Sequence, residues 1–169
     1  MLNLYVDRRY FPTFTNPNLH PVYVETILII DFGSQYTQLV ARRVRELNVY
    51  CEIHPCHQPL KELIARLSKD SSLKGIILSG SPFSVHSKNS PFFEINALPS
   101  SVPVLGVCYG AQLLAHHKGG KVTPSRIREY GRAHLNTLRQ DSVLFHAIHP
   151  DTQVWMSHSD TITRLPGGY

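Results

Sequence analysis

Three cysteines in 169 residues are too few for a disulfide framework, so a reducing setting, the cytoplasm, is expected. No apolar run approaches the ~20 residues that a membrane span needs. Asp7, Arg8 and Arg9 interrupt the apolar residues near the start, which excludes a signal-peptide core of ~7–15 apolar residues. Charged residues make up only 17%. That is too few for a disordered acidic tail, a coiled coil or a charge-rich surface. A phosphate loop is missing too: Gly119-Gly120-Lys121-Val122 places Val where Ser or Thr would hold Mg²⁺. No G-x-G-x-x-G follows a strand, nothing repeats, and no segment is of low complexity.

The charge present is a net +5, scattered apart from Arg42, Arg43 and Arg45. These sit among Val40, Val44 and Leu47 at helical spacing, and Arg42 and Glu46 form an i, i+4 pair, so they read as a solvated helix face. No basic stripe interleaved with aromatics supports binding to nucleic acid. Neither nucleic acid nor membrane is expected as a partner.

Residues 1–24 differ from the rest, with Pro12, Pro17, Pro21 and five aromatics but no periodicity. An arm, a disordered tail or a wrongly assigned start codon all fit. From Thr26 the punctuation is regular. The β-branched run Thr26–Asp31 suits a strand buried on both faces. Gly33-Ser34 breaks it, and Ser34 can cap a helix to Leu47. Val49–Ile53 reads as a second strand and Leu60–Leu67 as a helix. Gly75–Ser79 reads as a third strand, 80–91 as loop and Phe92–Leu98 as a short helix. Val102–Val107 reads as a fourth strand. Tyr109–Lys118 reads as a helix stopped by Gly119-Gly120. Two irregular polar strands, Arg126–Thr137 and Thr152–Met156, close the chain. The alternation predicts an α/β three-layer fold, a mostly parallel sheet with helices on both faces. Right-handed crossovers then bring the loops Asp31–Ser34, Ser79–Pro82 and Gly106–Gly110 to one sheet edge, where such folds place their chemistry.

At that edge Gly106-Val107-Cys108-Tyr109-Gly110 is a G-x-C-x-G between strand and helix. It has the pattern of a nucleophile elbow, a turn that projects its central side chain above the sheet. The helix N-terminus behind Cys108 is expected to lower the thiol pKa. Backbone N–H groups at Gly80 and Ser81, with that of Tyr109, could face a tetrahedral oxyanion. Cys51, His54, Cys56 and His57 crowd into seven residues, but no second ligand pair follows at a zinc-site spacing, and no metal is expected.

These residues resemble a known family. Gly106-Val-Cys-Tyr-Gly-Ala-Gln112 is similar to the nucleophile motif of class I glutamine amidotransferases. Ile30-Asp-Phe-Gly-Ser-Gln-Tyr-Thr-Gln-Leu-Val-Ala-Arg-Arg-Val-Arg-Glu46 resembles the start of the amidotransferase domain of the GMP synthase family. Ile76–Pro82, Arg128–Gly131 and Val154–Asp160 follow in that family's order. The resemblance implies that Cys108 attacks the side-chain amide of glutamine and that ammonia leaves. A synthetase part would use the ammonia to aminate XMP to GMP. It also implies that Gln112 helps to seat the substrate and that Ser157, His158 and Asp160 lie against it. No cofactor is implied for these residues; ATP and Mg²⁺ belong with the synthetase part.

Three departures from the family pattern stand out. Ser81 replaces the second Gly of S-G-G-P, at a place where a positive φ would disfavour Ser. Ser159 replaces the Gly of S-H-G-D. The His and Glu of the triad come from an F-H-P-E-like motif after the W-M-S-H loop, and no such motif follows Trp155 here. His149-Pro150-Asp151 mimics it but precedes Trp155, so it reads as a decoy. The expectation is therefore an amidotransferase type-1 domain over 25–169, incomplete at its C-terminus and inactive alone. The alternative is a glutamine-binding or subunit-interaction module of the same fold. Another cysteine-elbow hydrolase of this architecture fits Asp31–Glu46 less well.

Overall fold

The computed structural model describes residues 24–69, 72–136 and 142–168. Residues 1–23, which hold nearly all of the expected arm, lie outside it. Four strands, β1 (Thr26–Asp31), β2 (Tyr50–Pro55), β3 (Leu73–Leu78) and β4 (Val104–Gly106), form one parallel sheet in the order β2-β1-β3-β4. Helices α1 (Thr37–Glu46) and α2 (Leu60–Lys69) make the crossovers, and α3 (Tyr109–His117) follows β4.

Strand side chains alternate between faces, and β1 shows both layers. Leu28 and Ile30 face a core that holds Leu60, Ile64 and Leu67 of α2 with Leu113 and Leu114 of α3. Ile29 faces the other way, packing with Cys51 and with Ala41 of α1. All three β1 residues are fully buried, each worth about 1.5–3 kcal/mol of hydrophobic transfer. The expected three-layer α/β architecture is therefore present, with helices on both faces.

Several boundaries differ from expectation. Ser34 does not cap α1. Its Oγ accepts the Tyr36 N–H at 3.1 Å, closing a turn before a helix whose first residue is Thr37. β2 runs on to Pro55, which pairs with Asp31. Phe92–Leu98 yields only a 3₁₀ turn at Ile95–Ala97, because Pro91 and Pro99 bracket a segment too short to propagate a helix. The basic trio does sit on an exposed helix face. Arg42 and Arg43 both reach Glu46, at 3.2 and 2.6 Å.

The polar C-terminal part forms an antiparallel pair of long strands, β5 (Lys121–His134) and β6 (Gln153–Arg164), which pair with each other and not with the parallel sheet. Both are longer than expected. Their register shifts between Pro124 and Glu129, which breaks the alternation a sequence reader relies on. Both strands contact α3.

Candidate active site

Strand order reverses between β1 and β3, since β2 lies to one side of β1 and β3 to the other. The crevice at the carboxyl ends of such strands is the usual ligand position. The three loops expected there are joined by hydrogen bonds. Ser79 Oγ accepts the Phe32 N–H at 3.1 Å, and the Ser79 carbonyl accepts the Gly110 N–H at 3.0 Å. On the β1 side, Asp31 Oδ1 accepts the Gly33 N–H at 2.9 Å and the Thr37 hydroxyl at 2.7 Å.

Cys108 stands at the head of α3 with φ 53° and ψ −111°. A side-chain-bearing residue is disfavoured there by about 1–3 kcal/mol and needs its surroundings to hold it. Two glycines allow that. A Cβ on Gly106 would come within 2.6 Å of Ala111 Cα, and one on Gly110 within 2.6 Å of Leu78 Cβ. Only Gly lets α3 start this close to β3 and β4. The nucleophile elbow expected from G-x-C-x-G is the geometry observed.

The Cys108 Sγ faces the Ser157 carbonyl at 3.6 Å, so β6 borders this sulfur. Gln112, one turn along α3, is buried and donates from Nε2 to the Asp160 carbonyl at 2.8 Å. Asp160 is buried, and its Oδ2 has no hydrogen-bond partner among the described residues. Ser157 is exposed and His158 half-buried. Cys108, Gln112, Ser157 and Asp160 are thus linked directly, with His158 within the same strand segment. The side chain of Ser159 lies outside the described residues.

The Gly80–Ser81 loop is also close. Gly80 is buried, and a Cβ placed on it would lie 3.6 Å from Cys108 Cβ. The N–H groups of Gly80 and Ser81 have no acceptor among the described residues, and the Tyr109 N–H bonds to the Cys108 sulfur. Neither Gly80 nor Ser81 has a positive φ, so Ser in place of the second glycine carries no backbone strain. Its hydroxyl accepts the Phe83 N–H at 3.3 Å.

One expectation is overturned. The Cys108 thiol pKa is pushed above its ordinary value, not below it. Although the residue is exposed, protein atoms crowd its sulfur. This loss of solvation is the largest cause, and the Asp160 carboxylate adds to it. The Tyr109 N–H favours the thiolate, but does not outweigh them.

The other sequence candidates lie apart. Cys51 is buried under α1, donating to the Ala41 carbonyl at 3.5 Å, whereas Cys56 packs against the opposite core. No group of three His, Cys, Asp or Glu among the described residues is arranged to hold a metal ion. His149 lies in the connection between β5 and β6, with Nδ1 at 3.2 Å from the Pro150 carbonyl. Asp151 is paired instead with His134 at 2.9 Å. His149–Asp151 lies six residues or more before Ser157, the β6 residue that meets Cys108. A cleft of about 950 Å³ over the ends of β1 and β2 is lined by Phe32, Cys56, Phe92 and Phe93 among others, and does not include Cys108. The contribution missed by sequence reading is the Ser79 hydroxyl, whose only signal is its place at the start of Ser79-Gly80-Ser81-Pro82. No helix among the described residues is long and apolar enough to cross a membrane.

Residues 28–169 match the family model described as glutamine amidotransferase class-I. The chain is 57% identical over 145 residues to a glutamine-hydrolysing GMP synthase of Cytophaga hutchinsonii, and 54% over 140 residues to one of Christiangramia forsetii. These matches cover 86% and 83% of this chain, but only 27% and 26% of the relatives, so the chain spans about a quarter of their length. Among solved structures it is similar to a protein from Thermoplasma acidophilum described as a GMP synthase subunit. The TM-score is 0.64 at 28% identity, covering 85% of this chain and 69% of the other. A glutamine amidotransferase from Thermotoga maritima shares the fold, with a TM-score of 0.58 at 17% identity over 85% of this chain and 64% of that one.

Proposed function

Since the chain belongs to the class-I glutamine amidotransferase family, we propose that it is the glutaminase part of a GMP synthase. The observation that carries the reading is Cys108, held at φ 53° at the head of α3 beside the Gly80 backbone; the reading takes the N–H groups of Gly80, Ser81 and Tyr109 as its oxyanion donors. Cys108 Sγ attacks the side-chain amide carbon of glutamine, an S–C bond forms, and the carbonyl oxygen becomes an oxyanion held by those N–H groups. The C–N bond then breaks, the nitrogen takes a proton and ammonia leaves. Water cleaves the γ-glutamyl thioester to glutamate and restores the thiol. Gln112, Ser157, His158 and Asp160 hold the substrate. Ammonia passes to a synthetase part that aminates XMP with ATP and Mg²⁺; residues 1–169 need no cofactor of their own.

A thiol pushed above its ordinary pKa needs a base to react near neutral pH, and no F-H-P-E-like motif follows Trp155 in these residues. We therefore infer slow turnover by residues 1–169 alone, with losses of ~10²–10⁴-fold for a missing base. The same observation favours a second reading, a module that binds glutamine without hydrolysing it. Alkylation of Cys108 by iodoacetamide separates the two. Protection by L-glutamine, together with ammonia release that Cys108→Ser abolishes, supports the glutaminase. Protection without ammonia supports the module. Absence of protection removes both.

A further inference from the structure

Both peptide planes that carry the loop donors are fixed through their carbonyls. The Ser79 carbonyl accepts the Gly110 N–H at 3.0 Å, and the Gly80 carbonyl accepts the Ser79 hydroxyl at 3.1 Å. Neither peptide is cis, and in a trans peptide the N–H points opposite to the C=O. Fixing the first carbonyl therefore sets the direction of the Gly80 N–H, and fixing the second sets that of the Ser81 N–H. The first restraint is backbone to backbone, so no substitution at position 79 need remove it. The second depends on one hydroxyl. That hydroxyl is itself held, because its oxygen accepts the Phe32 N–H at 3.1 Å and Ser79 is 1% exposed. With the acceptor side taken by Phe32, the hydroxyl proton is directed to the Gly80 carbonyl.

We propose that Ser79 is a positioning residue for the reaction at Cys108: its hydroxyl locks the Gly80–Ser81 peptide so that the Ser81 N–H faces the oxyanion. The proposal rests on the glutaminase reading and adds to it a dependence on one side chain that never touches substrate. A free Gly80–Ser81 peptide could rotate and would have to be reoriented during each attack. Loss of one pre-oriented donor lowers rates by about 10²–10³-fold.

The test compares two alkylating agents on the 169-residue chain. The first is a chloroketone analogue of glutamine, in which COCH2Cl replaces the side-chain amide. Its carbonyl oxygen sits where the oxyanion would form. Cys108 Sγ first adds to the ketone carbon, giving a tetrahedral adduct whose oxygen is the oxyanion while the thiol proton goes to solvent. The sulfur then bonds to the methylene carbon as chloride leaves, and its bond to the ketone carbon breaks as the C=O reforms. The second agent, iodoacetamide, reacts by direct displacement and develops no oxyanion. Ser79→Ala is expected to lower the maximal chloroketone inactivation rate about 100-fold, with the half-saturating concentration and the iodoacetamide rate both within about twofold. Ser79→Thr, which keeps the hydroxyl, is expected to restore the rate.

Unchanged chloroketone inactivation of Ser79→Ala overturns the proposal, as does a parallel fall with both agents, which would mean that Cys108 itself had moved. If Ser79→Ala does not melt cooperatively, Ser79→Thr decides: a native-like melt with a low chloroketone rate also overturns it. Failure of the unsubstituted chain to react with the chloroketone in a glutamine-protected manner removes the glutaminase reading, and this proposal with it.

Discussion

The parallel sheet with its helices and the β5–β6 pair meet at Cys108 but are built on opposite terms. In the sheet, Leu28, Ile29, Ile30 and Leu78 are fully buried, and hydrogen bonds accepted by Ser79 join three loops. In the strand pair, Tyr130 is 63% and Trp155 71% exposed. Among the described residues its polar attachments to the sheet side are Gln112 to Asp160, Cys108 to Ser157, His86 to the Val122 carbonyl and Arg164 to the Gly119 carbonyl, beside the buried Val122 side chain. The sheet sets Cys108 by close packing, and the strand pair borders it through directional bonds. Close packing is therefore concentrated on the side that carries Cys108.

Glycine replacements give the largest contrast. Gly110→Ala would push a methyl group into Leu78, and a loss of more than about 3 kcal/mol is expected in urea unfolding. Gly131→Ala, in β5, has open space around it and only its φ of 130° to resist, so about 1–2 kcal/mol is expected. Equal losses would erase the distinction between the two regions.

Gln112→Leu comes next. It removes the buried bond to the Asp160 carbonyl and should cost about 1–3 kcal/mol. Amide hydrogen exchange should quicken in β6 while β1 and β3 stay protected; uniform loss of protection would show that the two regions unfold as one.

Asp160→Asn removes a negative charge that raises the Cys108 pKa. Alkylation of Cys108 by iodoacetamide at pH 8 should rise about two- to fivefold, and a fall would contradict the electrostatic link across the boundary. The thiols of Cys51, Cys56 and Cys108 are all raised, chiefly by burial. Above the unfolded thiol value of ~8.5 the native state holds more protons than the unfolded one. Stability should thus be full below that pH and decline as pH rises through the raised values, with a shallower decline in Cys51→Ala. The smallest effect is expected for Trp155→Ser, within about 0.5 kcal/mol.

Legibility in the sequence divides along the same boundary. Thr26–Asp31 is readable to the residue, because a β-branched run ended by Gly33-Ser34 has little choice of structure. The elbow is readable because its two glycines answer a steric demand that no other residue meets. The strand pair is harder: its residues are polar, many of them are solvated, and the register shift near Pro124 spoils the period of two. The Cys108 thiol misleads a sequence reader because the α3 N-terminus is a local feature visible in sequence, whereas crowding at the sulfur and Asp160, far along the chain in β6, are not. Ser79 reads in sequence only as part of a turn. That its hydroxyl bridges Phe32 and Gly80 depends on β1 lying beside β3.

The backbone at Cys108 has a use beyond chemistry. Its φ of 53° exists only while β3, β4 and α3 are locked against one another, since a chain released from that packing relaxes to ordinary angles. On the glutaminase reading proposed above, selective labelling of Cys108 by a glutamine-like electrophile would report completed folding: partly assembled molecules would keep the thiol and lose the selectivity, so the labelled fraction in a refolding mixture would track native chains.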